Sequence, residues 1–220
     1  MADKGSDADY IRFVEAARMG DTQTVEKMIA AGMDVNRRED EQMSPLMHAA
    51  DAGQLETARL LLAAGADPNA MTGFVRGPLV FAITSGNSDV VKLLLDKGAY
   101  PNPLQRQGLG QYLPKCPLTA ALQRDNVDAV RLLMAKGVRL DPYPSPEEDL
   151  SALTIAADHG SAECVKLLLD QGLDPNRPGP NRNLPIEGAA MDGYLDVVQL
   201  LVEHGANVNG ISVGEPSIRN

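Results

Sequence analysis

One pattern recurs along the chain with a nearly fixed period. An Ala-Ala-x-x-Gly type of segment places its glycine at Gly20, Gly53, Gly86, Gly160 and Gly193, and Asp125 takes that place in one further copy. A second glycine follows twelve residues later in every copy: Gly32, Gly65, Gly98, Gly137, Gly172 and Gly205. Successive copies step by 33, 33, 39, 35 and 33 residues. A period of this length means one supersecondary unit repeated, each too small to bury its own apolar face and stable only when stacked on its neighbours. The 220 residues therefore form one elongated stack of six units.

Within each unit the residues write two short helices and a turn. Ser44 followed by Pro45 is an N-cap with proline in the first helical turn, where its missing N–H costs nothing. Paired alanines let two helices approach closely. The first glycine ends the first helix in the left-handed conformation. An apolar helix pattern then runs to the second glycine, as in Val90-Val91-Lys92-Leu93-Leu94-Leu95 and Val165-Lys166-Leu167-Leu168-Leu169. Stretches such as Ala66-Asp67-Pro68-Asn69 and Leu173-Asp174-Pro175-Asn176 next turn the chain into an extended finger. Aromatics are scarce, with three Phe, five Tyr and no Trp, which suits a core of Leu, Val, Ile, Met and Ala.

These residues resemble the ankyrin repeat. Ser44-Pro45-Leu46-Met47-His48-Ala49-Ala50 is similar to that family's Thr-Pro-Leu-His-x-Ala-Ala opening, and Gly65-Ala66-Asp67-Pro68-Asn69 to its Gly-Ala-Asp-Val-Asn ending. Gly77-Pro78-Leu79, Cys116-Pro117-Leu118, Ser151-Ala152-Leu153 and Leu184-Pro185-Ile186 open later copies. The resemblance implies an all-α solenoid of six stacked helix-turn-helix repeats with short β-hairpin-like fingers. The expected repeats are 9–38, 39–71, 72–104, 111–143, 146–178 and 179–209, between a flexible N-terminus at 1–8 and a tail at 210–220. Glu15 stands where later copies carry His48, Phe81, Ala120 or Ile155, so the first copy reads as a cap whose face no earlier repeat covers.

Twenty Lys+Arg against thirty Asp+Glu give a net charge of -10, which argues against nucleic acid and against an anionic membrane surface. No apolar run approaches the roughly 20 residues of a membrane span. The N-terminal residues lack the apolar stretch of a secretion signal, so the expectation is a cytoplasmic protein, or a periplasmic or secreted one if a signal has been removed. Cys116 and Cys164 have neither CxxC nor His spacing, and free thiols are expected.

No catalytic, metal or cofactor constellation appears. Gly108-Leu109-Gly110 lacks the third glycine and the context of a nucleotide loop. His48, His159 and His204 lie in different copies, and the acidic spots at 38–41 and 147–149 read as solvated turns. The expected function is recognition, since the resemblance implies a module that binds a protein on its concave face and fingers. The expected contact residues are Phe74, Arg76, Tyr100, Tyr112 and Tyr143 in the connections, with Asp51, Arg124, Asp158 and His159 on the inner helices. The lengthened steps add six residues in 103–114 and two in 141–149, each with a tyrosine, and insertions in such stacks gather on one face. Exposed aromatics are common interface anchors. The partner expected is a neutral or basic protein bound by a monomer. An inhibitor or immunity protein that blocks an enzyme is the specific version. The alternatives are a scaffold domain of a larger protein, or a ligand-binding or enzymatic protein using His159 and Asp158.

Overall fold

The computed structural model describes residues 6–38, 43–73, 76–102, 116–140, 151–179 and 183–209. Every regular element among them is helical: α1 (Asp7–Met19), α2 (Thr22–Ala30), α3 (Pro45–Asp51), α4 (Leu55–Ala63), α5 (Pro78–Thr84), α6 (Ser88–Asp96), α7 (Pro117–Gln123), α8 (Val127–Ala135), α9 (Ala152–Asp158), α10 (Ala162–Asp170), α11 (Pro185–Met191) and α12 (Leu195–Glu203). After α1, helices of seven and nine residues alternate, all too short to persist alone in water. None is long and apolar enough to cross a membrane.

The local chemistry that makes each pair is visible at α3 and α4. Ser44 Oγ accepts the Met47 N–H at 3.3 Å and Pro45 fills the first turn. The helix closes when the Gln54 N–H donates to Ala49 O at 2.8 Å across Gly53, whose φ is 70°. That 6→1 bond requires a left-handed residue, the conformation glycine adopts without a Cβ penalty. Asp125 replaces the glycine in the fourth pair and adopts φ 49°, which Asp tolerates better than most side chains. After α4, the Asn69 N–H donates to Asp67 Oδ1 at 2.8 Å and sets the finger turn.

The chain divides into two compact units, Met1–Ala120 with Arg131–Val138, and Ala121–Val130 with Arg139–Asn220. In the first, α1, α3 and α5 pack side by side as an inner layer and α2, α4 and α6 as an outer one. Phe13, Leu46, Leu61, Ile83 and Leu94 are fully buried between them. In the second, α9 packs on α11 and α10 on α12 around Leu153, Leu168 and Leu201. The α7–α8 pair is shared between the units.

Two details sharpen these expectations. Ser6 caps α1 by accepting the Asp9 N–H at 3.2 Å, so ordered structure begins inside the stretch 1–8 assigned to a flexible terminus. The hairpin-like fingers form no strand among the described residues. Their closure is a single backbone bond, Thr72 N–H to Arg76 O at 2.9 Å and Gly179 N–H to Asn183 O at 2.8 Å. Sheet pairing needs a longer ladder than such fingers hold. The tail at 210–220 lies outside the described residues.

Candidate functional site

The last residues of the inner helices form an accessible row in each unit. In the first it comprises Arg18 and Met19, Asp51 and Ala52, then Thr84 and Ser85, with every member except Thr84 exposed. Arg18 is held by Glu15 at 2.7 Å on its own helix. Asp51 is tied to the next pair, because the Ser85 hydroxyl donates to Asp51 Oδ1 at 2.8 Å. His48 lies half-buried beside these charges. Burial holds its imidazole below the ordinary histidine range, against the opposing pull of Asp51 and Glu15.

That depression carries a sign. The unfolded chain binds the His48 proton more readily than the folded one, so stability is complete above the ordinary histidine value of about 6.5 and declines as pH falls through it. Thermal melts between neutral and mildly acidic pH should show this decline in the native protein, and His48→Gln should flatten it. An unchanged slope in the variant would assign the decline to other groups.

In the second unit the row holds Asp158, His159, Met191 and Asp192. The His159 ring is tied back, with Nδ1 2.9 Å from Ile155 O, which leaves the other ring nitrogen as its outward group. Asp158 is the least satisfied member. Its Oδ1 is buried without a hydrogen-bond partner among the described residues. The carboxyl fits into a notch that exists only because position 188 is glycine: a Cβ there would stand 1.9 Å from Asp158 Oδ1. Burial pushes this carboxyl above the usual carboxylate range; Asp192 adds to the shift and His159 opposes it.

The remaining expected contacts divide into three groups. Tyr100 projects from the third finger with 52% of its surface exposed, while its backbone N–H donates to Asn69 Oδ1 at 2.8 Å. Arg124 is exposed at the end of α7. Arg76 is half-buried and closes the second finger through its backbone. Phe74, Tyr112 and Tyr143 lie outside the described residues, as do the acidic stretches at 39–41 and 147–149. Tyr10 and Phe13 are core residues, as their helix positions imply. Tyr194 instead stands at the N-cap of α12, its ring lying where a Cβ on Gly160 would come within 2.6 Å.

Sequence reasoning missed the asparagines that tie finger to finger. Asn36 Nδ2 donates to Gly65 O at 2.9 Å and accepts the Asp67 N–H at 2.8 Å. Asn69 holds Gly98 O and Tyr100 N in the same way, and Asn176 holds Gly205 O and Asn207 N. The signal was present as an Asn four residues after the second glycine, but its partners lie 29 and 31 residues onward.

Comparison with known proteins agrees with this geometry. A family model described as ankyrin repeats (3 copies) matches residues 13–105, 79–179 and 118–212. The chain belongs to the ankyrin repeat family. A curated relative, ankyrin repeat-containing protein P1E11.10 of Schizosaccharomyces pombe (strain 972 / ATCC 24843), is 38% identical over 55 residues, 25% of this chain and 27% of that protein. The match thus spans about a quarter of the relative's length. The human ASB11 ankyrin repeat domain superposes with a TM-score of 0.78 at 29% identity, over 90% of this chain and 85% of that one. A chain from the complex of the Bd0816 predatory endopeptidase of Bdellovibrio bacteriovorus with immunity protein Bd3460 superposes with a TM-score of 0.73. It is 22% identical, covering 87% of this chain and 96% of that one, a likeness of fold alone. Ankyrin repeats are protein-interaction modules, and this chain is one of them.

Proposed function

We propose that this ankyrin protein is a non-catalytic binder of one partner protein, read by the ends of its inner helices and by its finger tips. The observation that carries the reading is Asp158. A carboxylate oxygen held out of water with no partner is costly to the folded chain. Such local conflicts are expected where function demands them. An Arg or Lys of a bound protein would pair with the accessible part of this carboxyl and offset that cost, in keeping with the acidic balance of the chain. Tyr100 supplies an aromatic anchor on the finger side, and Tyr112 and Tyr143 are further anchors on the lengthened connections.

The partner we favour is an enzyme that this protein inhibits, in the manner of an immunity protein. Two features support that version: the long third connection, and the occurrence of a similarly folded chain in a complex of an endopeptidase with an immunity protein. Capture from the native host followed by an activity assay on the captured protein tests it. A captured enzyme that keeps full activity when saturated would leave binding intact and remove inhibition.

Asp158→Asn separates a binding role from a packing role. It should raise the melting temperature, because an unpaired desolvated charge beside Asp192 disappears, and it should weaken partner binding. Tyr100→Ala, Tyr112→Ala and Tyr143→Ala should each weaken binding by about 1–3 kcal/mol, with no loss of fold. Titration calorimetry and thermal melts read both quantities. Unchanged affinity across all four variants would move the site elsewhere.

A further inference from the structure

The finger asparagines form a directional clamp whose last side chain, Asn209, and first receiving groups, Gly32 O and Asp34 N–H, make no such bond among the described residues. The side chains of Asn36, Asn69 and Asn176 each grip the carbonyl of the next repeat's second glycine and the N–H two residues beyond it: Asn36 on Gly65 and Asp67, Asn69 on Gly98 and Tyr100, Asn176 on Gly205 and Asn207. Asn209 is next in this register. Its N–H is fixed on Asn207 Oδ1 at 3.0 Å, as that of Asn176 is on Asp174 Oδ1 at 2.8 Å, and no described residue follows it. At the other end, Gly32 O and Asp34 N–H are the groups a preceding asparagine would hold. Gly32 has φ 92°, as does Gly65, and Gly205 has φ 90°, so the backbone offered is of the kind the clamp grips elsewhere.

Apolar surface is left uncovered at the same two ends. Val202 on α12 is 44% exposed where the same helix position holds Leu95 at 5% and Leu169 at 6%. Leu195, at the start of α12, is 79% exposed. The last repeat is thus composed like an internal one on its trailing face. On the leading face of the first repeat, Ile11 and Met19 are each 62% exposed and line a groove of about 430 Å³. A second groove of about 490 Å³ beside it carries Arg12 and Lys27.

A charge pair between described repeats shows which positions face each other. Between α6 and α8, Lys136 Nζ lies 2.9 Å from Asp96 Oδ1, joining the residue two before one second glycine to the residue one before the next. Glu203, exposed, stands two before Gly205. In a following repeat built from residues 6–38, the facing position is Ala31, one helical turn after Lys27. The acid is delivered beside a lysine.

We infer that two copies of this protein associate head to tail, the α1–α2 face of one seated on the α11–α12 face of the other, with Asn209 closing on Gly32 and Asp34 of the incoming copy. The contact is heterologous, so each end of a dimer keeps one unused face to which a further copy can add. The monomer expected from the sequence becomes the dilute limit of this equilibrium, since Arg12, Glu15 and Lys27 keep the leading face soluble when it is alone.

Sedimentation equilibrium of the full chain from micromolar to millimolar concentration tests it. The average mass should climb from 23.5 kDa toward multiples of it. Asn209→Ala should weaken association on the order of tenfold, the equivalent of the one to two hydrogen bonds it makes. Ile11→Glu blocks the leading face and Val202→Glu the trailing face, both at accessible positions, and each alone should remain monomeric. Leu195→Lys is a second trailing-face block, and circular dichroism confirms that each variant is folded. An equimolar mixture of Ile11→Glu and Val202→Glu should form a dimer and stop there, because one intact face of each kind remains. A native mass that stays monomeric at all concentrations overturns the proposal. So does a mixture of the two variants that fails to dimerise.

Discussion

Leu168→Ala should remove about 2–5 kcal/mol from the unfolding free energy. Leu168 has no exposed surface, and α10 packs against both α9 and α12, so its side chain lies in the layer shared by the fifth and sixth helix pairs. The helices here are nine residues and shorter, so little of their stability is intrinsic and most comes from such shared layers. In a repeat stack, stability is close to a sum of unit and nearest-neighbour terms. A cavity at Leu168 weakens the α10–α12 interface and the unit itself together. Urea denaturation of the variant measures the loss. Lys166→Ala on the exposed side of the same helix is the control, and its effect should stay within about 0.5 kcal/mol. A Leu168→Ala loss no larger than the control's would mean that α10 does not supply a common core.

How much of this was legible in the sequence follows from the distance over which each interaction acts. Helix starts and stops depend on residues within one turn. Ser44 with Pro45, and Gly53 before Gln54, therefore announced α3 and its end without any tertiary knowledge. Burial of Leu46 or Leu168 follows from helical spacing. The asparagine clamp acts across 29 and 31 residues, and the Ser85–Asp51 bond across 34, so each depends on how one unit is set against the next. Asp158 is a second kind of failure. Position 158 marked it as a surface acid, but the notch that hides its Oδ1 exists because a residue thirty positions away, Gly188, has no side chain. The finger aromatics show the remaining case, since the sequence placed Tyr100 off the helices but not the asparagine that fixes its backbone.

That last link joins fold to function, and Asn69→Ala tests it. The substitution removes an amide that donates to Gly98 O at 2.9 Å and accepts the Tyr100 N–H at 2.8 Å. Both bonds go to backbone groups of the following finger, and at about 0.5–1.5 kcal/mol each the expected cost is about 1–3 kcal/mol of stability. Partner affinity should fall as well, because Tyr100 would no longer be presented by a fixed backbone and ordering it on binding would cost extra entropy. Asn36→Ala removes the matching pair one repeat earlier, on Gly65 and Asp67, with no aromatic at the receiving position. It should cost similar stability and leave affinity unchanged. Asn69→Asp keeps an oxygen for the Tyr100 N–H but loses the donor to Gly98, so it should lie between native and Ala in stability and near native in affinity. Equal loss of binding in Asn36→Ala and Asn69→Ala would make the clamp a general stiffener. Loss confined to Asn69→Ala identifies the third finger as part of the binding surface, with its rigidity set one repeat upstream.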